Sequence, residues 1–424
     1  MKWIWAILFL TLCSCTAVKF QKEMGAMEED FGHHAGLLVV DATSGKILIS
    51  HNEDKYFIPA SNTKILTLFS SLKEMGDHIP ALYYYEQGDS LIFWGSGDPS
   101  FLYEDLPTSP AYEFLKSSKK DLYFSDANFS GSHYGNGWAW DDYDYSYAVE
   151  RSSLPLYGNY LKASKSDTSI YLSVEPQYFK QYFWMGDSAK KSSISRLYEN
   201  NAFIYSPAIN KAVDRNIPVK SNPLITVGLL SDTLDRGVRY VDMPLPTEYK
   251  TLRGLTADSL YKVMMQASDN FIAEQLMIII AGMVSDSLDT DIGIDYIENK
   301  YFEPMPDMPK WVDGSGLSRY NLITPRSIVW LWQQLLTMKT RDELFPLLAT
   351  GGLSGTIKNY YKAEPPYIYG KTGTLSNNHC LSGYLITSKG KMLIFSFINN
   401  NYPTSSAPIK KRMEQILWEI HQKY

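Results

Sequence analysis

Three short patches hold side chains that could do chemistry together. Pro59-Ala-Ser-Asn-Thr-Lys64 runs straight into the apolar stretch Ile65-Leu-Thr-Leu-Phe69. A polar turn therefore opens a helix too apolar to lie exposed. Ser61 and Lys64 are three residues apart, so the helix would set a hydroxyl beside an amine able to take its proton. The spacing alone proves little, because Ser70/Lys73, Ser117/Lys120, Ser188/Lys191, Ser259/Lys262 and Ser388/Lys391 repeat it. The second patch, Ser268-Asp269-Asn270, falls between two helical stretches, where short polar side chains cap a helix or face a cleft. Ser376-Asn377-Asn378 shares its pattern. The third patch, Gly370-Lys-Thr-Gly-Thr374, occurs once and sits in a strand pattern. Its glycines leave room for another backbone to approach.

These patches need elements to bring them together. Gly36–Asp41 and Lys46–Ser50 predict a hairpin about Thr43-Ser44-Gly45. The Ser61 helix follows, to about Gly76, and then a second hairpin, Ala81–Tyr85 with Ser90–Trp94. From about 100 to 245 the chain is rich in Tyr, Ser, Asn and Pro, with short alternating strands such as Ile170–Val174. Helical periodicity returns over Thr256–Ala267 and Phe271–Ile280. Thr324-Pro325 reads as an N-cap with proline at the first helical position. Strands over 367–374, 381–387 and 392–399 precede a last helix with Ile409, Met413, Ile416, Leu417 and Ile420 at helical spacing. Like elements at both ends and a foreign block between them predict one α+β domain interrupted by a mostly β insertion. Its pieces are 36–80 and 246–424, with the insertion over 81–245.

A chain of 424 residues is long enough for two or three domains. A net charge of −6 with no long basic run argues against a nucleic-acid partner. The N-terminus has Lys2, an apolar run from Trp3 to Leu12, and then Cys13-Ser14-Cys15. That is an export signal over 1–14, too short to span a bilayer. Leu-x-Ser-Cys resembles a bacterial lipobox, which makes Cys15 the lipidated residue, 15–35 a tether, and the mature chain a periplasmic, membrane-anchored protein. Cys380 would then be the remaining thiol, so no internal disulfide forms. The histidines show no ligand-spaced pair; no metal or cofactor is called for. His379 reads as packing and Ser315, in Asp313-Gly-Ser-Gly316, as a turn residue.

Ser-x-x-Lys on a helix, Ser-x-Asn on a loop and Lys-Thr-Gly on a strand, in that order, resemble the motif set of penicillin-recognising serine enzymes. The separation of Lys64 from Ser268 resembles one branch, the low-molecular-mass class C penicillin-binding proteins or D-alanyl-D-alanine carboxypeptidase/endopeptidase family (peptidase family S13). Gly95-Ser-Gly-Asp-Pro99, Gly137-Trp-Ala-Trp-Asp-Asp142, Asp313-Gly-Ser-Gly-Leu-Ser318 and Leu381-Ser-Gly-Tyr384 are similar to it as well. The resemblance implies a β-lactamase/transpeptidase-like domain, an antiparallel sheet flanked by helices. It also implies Ser61 as nucleophile, Lys64 as base, Ser268 as proton shuttle and Asn270 on the substrate amide. Lys371 with Thr372 would hold the terminal carboxylate, along the Gly373-Thr374 strand. The N–H groups of Ser61 and Thr374 would form an oxyanion hole. Asp142 would meet the ammonium of diaminopimelate, and Leu375 would line the same pocket.

Lysine is ordinarily protonated at neutral pH, and burial beside a like charge favours the neutral amine a base requires. The implied substrates are peptidoglycan stem peptides and their cross-links, with β-lactams as acylating inhibitors. A β-lactamase or esterase on the same scaffold is the competing enzyme reading. A non-catalytic peptidoglycan-binding protein is a third, and the intact motifs argue against it.

Overall fold

The computed structural model describes residues 18–169, 171–187, 193–208 and 212–424; the segment expected to be a signal, with Cys13 and Cys15, lies outside them. The chain forms two compact units. The first takes the described residues up to Lys73, then Tyr261–Asp269 and Ile297–Tyr424; the second takes Glu74–Leu260 and Asn270–Tyr296.

The first unit is built on a six-stranded antiparallel sheet. Its order is Ala349–Thr350, Ile368–Leu375, Asn378–Ile386, Met392–Asn400, His34–Asp41 and Ile47–His51. The terminal helix Ser406–Lys423 buries Ile409, Met413, Ile416, Leu417 and Ile420 in the same core as Leu37, Leu381 and Phe395. Thr324 accepts the Ser327 N–H and starts the helix Pro325–Met338, a cap followed by proline.

Residues 18–31 differ from the expected tether: they are helical. Phe20, Met24 and Met27 form a stripe with helical spacing and are fully buried in that core. Each such burial stabilises by about 1.5–3 kcal/mol and offsets part of the cost of ordering the segment. Glu28 fixes the helix to the first hairpin, accepting from Ala35 N at 2.8 Å and contacting His51 Nε2 at 3.0 Å.

The second unit contains a five-stranded sheet in which Asp121–Ser125 runs parallel to both Ser90–Gly95 and Val238–Tyr240. Two three-stranded sheets accompany it, and one core, including Phe93, Phe124, Leu161, Phe179 and Phe203, spans all three. Two helices interrupt the expected β texture. Pro110–Ser117 is capped by Ser109, and Pro223–Leu234 by Asn222. Of the strand expected over Ile170–Val174, Ile170 lies outside the described residues, and the strand found is Ser173–Glu175.

The helix Asn270–Val284 belongs to this unit rather than to the 246–424 block expected from sequence. It is buried continuously from Phe271 to Ala281, as a helix apolar all round must be. Gln275 Nε2 donates to Gly97 O at 2.8 Å and Ser152 O at 2.9 Å. Arg151 Nε donates to the Glu274 carboxylate at 2.9 Å.

Candidate functional site

In the first unit, Ala60–Thr63 forms a single tight 3-10 turn, and Lys64 is the first residue of the helix Lys64–Glu74. Lys64 Nζ lies 3.0 Å from Ser61 Oγ and also donates to Ser315 O at 2.7 Å. A fully buried amine is tolerable only with oxygens to receive its N–H groups. The 313–318 loop supplies that carbonyl. Asp313 accepts the N–H groups of Gly316 at 2.8 Å and Ser318 at 2.7 Å, which folds the loop back on itself. Gly316 has φ +81°, and a Cβ there would sit 1.9 Å from Ala60 O. Only glycine fits. Ser315 is thus a turn residue, as its spacing suggests, but its backbone oxygen holds Lys64.

The Ile368–Leu375 strand passes directly against the Ser61 turn. A Cβ on Gly373 would lie 2.5 Å from Pro59 O and 2.8 Å from Ser61 N, so this glycine permits the approach of two backbones. A chain of polar contacts fixes the register: Trp332 Nε1 donates to Ser382 Oγ at 2.8 Å, and that hydroxyl donates to Asn62 Oδ1 at 2.5 Å. Asn62 Nδ2 in turn donates to Lys371 O at 3.0 Å. Cys380 Sγ donates to Pro59 O at 2.8 Å. Burial pushes its thiol up to about 12, so it serves as a donor and not as a thiolate.

Lys371 Nζ donates to Ser268 Oγ at 2.7 Å and to Thr372 O at 2.7 Å. Its amine is held well below the ordinary lysine range, first by burial and then by the charge of Lys64; Cys380 opposes this weakly. The Lys371 side chain is fully buried, and its Nζ is turned to Ser268 and the Thr372 carbonyl. Thr372 Oγ1 lies 2.6 Å from Thr356 Oγ1, and the exposed Thr374 has its hydroxyl 2.8 Å from His379 Nδ1. Burial depresses His379 to about 3, which keeps the ring neutral; beyond packing, it orients Thr374. Ser268 has φ +63°, a left-handed conformation costing a non-glycine residue roughly 1–3 kcal/mol. Leu375 ends the strand opposite Asn378.

Asn270 and Asp142 lie in the second unit, where one tyrosine connects them. Asn270 Nδ2 donates to Tyr147 O at 2.8 Å, and Tyr147 Oη donates to Asp142 Oδ1 at 2.7 Å. Sequence reasoning passed over Tyr147, Ser382 and Trp332. Trp332 sits in the capped helix, and Ser382 in Leu381-Ser-Gly-Tyr384, so a partial signal existed for each.

The D-Ala-D-Ala carboxypeptidase 3 (S13) family matches residues 22–199 and 257–421. A D-alanyl-D-alanine carboxypeptidase from Actinomadura sp. is 25% identical over 92% of this chain and 82% of its own. The crystal structure of penicillin binding protein 4 from Haemophilus influenzae superposes with a TM-score of 0.77 at 20% identity, covering 94% of this chain and 99% of that one. A penicillin G-acylated predatory endopeptidase from Bdellovibrio bacteriovorus matches with a TM-score of 0.51 at 16% identity, over 91% and 92% of the two chains.

Proposed function

The chain belongs to the D-Ala-D-Ala carboxypeptidase 3 (S13) family, and on that premise we propose a serine peptidase that works on peptidoglycan through an acyl-enzyme at Ser61. The observation that supports it best is the buried pair of amines, each bonded to a serine hydroxyl, Lys64 to Ser61 and Lys371 to Ser268. Each hydroxyl has its own proton carrier. Two buried like charges oppose full protonation of the pair, so a free amine is available to act as base.

Lys64 takes the Ser61 proton as Oγ attacks the carbonyl carbon of the penultimate D-alanine. The resulting oxyanion is received by the N–H groups of Ser61 and Thr374. Removing one such donor typically costs on the order of 10²–10³ in rate. Ser268, backed by Lys371, passes a proton to the departing amine as the C–N bond breaks. Thr372 and Thr374 hold the leaving residue's carboxylate, whose negative charge favours a protonated Lys371 behind them. Water then adds to the ester, giving the shortened peptide and a free Ser61 hydroxyl. Asn270 holds the substrate's peptide amide. Asp142 takes the diaminopimelate ammonium, supported by the Tyr147 contact that fixes its carboxylate, and Leu375 lines that pocket.

Acylation by β-lactams follows from the same attack. An exported protein lipidated at Cys15 suits an insoluble wall substrate. Mass spectrometry of the mature N-terminus decides the anchor: a diacylglyceryl adduct on Cys15 supports it, and an unmodified N-terminus removes it. For the activity, purified cross-linked muropeptides are digested with the wild-type protein and with Ser61→Ala. Release of D-alanine or of monomers by both proteins alike would end the proposal.

A further inference from the structure

We propose that the second unit carries a glycan-binding site that holds the N-acetylated sugar chain of peptidoglycan, apart from the residues assigned to peptide cleavage. The identity of the sugar rests on the peptidoglycan reading; the cavity does not. It measures roughly 350 Å³ and is lined by residues including Tyr182, Trp184, Asn200, Asn201, Lys220 and Asn222, within the range of small-molecule sites.

Trp184 is the central observation. On the short strand Phe183–Met185, Phe183 turns inward and stacks on Phe203, centroids 4.9 Å apart and planes at 16°. Alternation along the strand sends Trp184 to the opposite face, where it is 54% exposed beside its register partner Ile204. Apolar side chains scattered singly on a surface are ordinary; what sets Trp184 apart is that its ring lines the cavity beside a row of fixed amide groups.

The polar lining is fixed in advance. Asn201 is clamped both ways on Lys220, Oδ1 accepting its N–H at 2.7 Å and Nδ2 donating to its carbonyl at 2.9 Å. Asn200 Oδ1 accepts from Ala202 N at 2.9 Å, and Asn222 Oδ1 from Ile225 N at 3.0 Å. Each amide oxygen is committed to backbone, so the side-chain N–H groups of Asn200 and Asn222 are the ends left to offer donors. Glu199 adds an acceptor at the same cavity. Rigid amide donors beside an aromatic face suit a sugar: the C–H face of the ring lies on the indole, and hydroxyl and acetamido oxygens meet the amides. One lysine beside one glutamate gives no charge excess for a polyanion.

The test titrates the full-length protein with the β-1,4-linked tetramer of N-acetylglucosamine, following tryptophan fluorescence and heat. The expected result is saturable binding that Trp184→Ala weakens about tenfold or more. Tyr171→Ala, which removes another exposed ring (81%) outside the cavity, should leave it unchanged. Trp184→Ala should also raise the KM for intact cell-wall sacculi several-fold while turning over a soluble acyl-D-Ala-D-Ala tripeptide at the wild-type rate. Asn200→Ala serves as the second variant if Trp184→Ala melts early. Binding that survives both substitutions, or no saturation up to about 10 mM, overturns the site. A wild-type protein that binds the tetramer but leaves the tripeptide intact removes the peptidase reading and leaves the glycan site standing.

Discussion

The turn at Ser61 and the segment from Trp140 to Tyr147 both hold residues proposed to meet the substrate, and they are built in opposite ways. Around Ser61 the polar groups are buried and over-determined. Lys64, Asn62, Lys371 and Ser382 are each less than 3% exposed, and their hydrogen bonds run from one backbone to the next. In the other segment Trp140 is 75% exposed, Tyr145 and Tyr147 stack on each other in contact with water, and one hydroxyl steadies Asp142. A reacting centre cannot tolerate displacements that a recognition contact can absorb. Damage to the first region should therefore appear in the rate of acylation, and damage to the second in the choice of substrate.

The largest effect expected is at the nucleophile. Ser61→Ala should abolish peptide turnover, by roughly 10⁴-fold or more, with an unchanged melting temperature; residual turnover near wild type would break the contrast at its root. Gly373→Ala comes next. Its methyl group would press on Pro59 O and Ser61 N, so acylation should fall by about 10²–10³ as the oxyanion donors shift. Stopped-flow acylation with a chromogenic β-lactam measures this, and a wild-type rate would mean that the strand does not set the hole.

Met24→Ala tests whether the 18–31 helix belongs to the rigid region. It should cost about 2–5 kcal/mol in urea unfolding, whereas removal from a tether would cost nothing measurable. The pH dependence of stability probes the buried amine. The folded Lys371 holds its proton less tightly than the unfolded chain does. Between its lowered value and 10.5 the unfolded state thus binds more protons, and stability rises with pH across that window. Lys371→Met lacks this slope, so wild type should gain on the variant in denaturation experiments moved from pH 7 to pH 10. A constant difference would contradict the buried-charge account. The smallest effect is Tyr147→Phe: about tenfold or less in KM for diaminopimelate-containing peptides, with kcat and β-lactam acylation unaffected.

The contact of Lys64 with Ser61 was legible because residues three apart on one helical turn meet, as the structure shows. Gly373 was legible as well, since a glycine inside a strand announces close approach. Ser315 O was not, because a backbone carbonyl has no residue signature; only Gly316, with its required positive φ, points to the loop that delivers it. The stripe Phe20, Met24 and Met27 is visible in the sequence, but its place just behind the apolar run Trp3–Leu12 argues for a tether. Ser109-Pro110 and Asn222-Pro223 carry the same start signal as Thr324-Pro325, yet each opens a helix within a stretch whose composition reads as strands and loops. The Asn270–Val284 helix is apolar on every side, so no face of it says which unit it joins. Its polar contacts at Glu274 and Gln275 decide that, through partners more than 120 residues away in the chain.

The most direct measurement is to treat the soluble protein with labelled penicillin, digest it, and locate the adduct by mass spectrometry. The account predicts one acyl group, on Ser61, and none in Lys64→Ala on the same timescale. Label on any other residue, or labelling of Lys64→Ala at the wild-type rate, would contradict it.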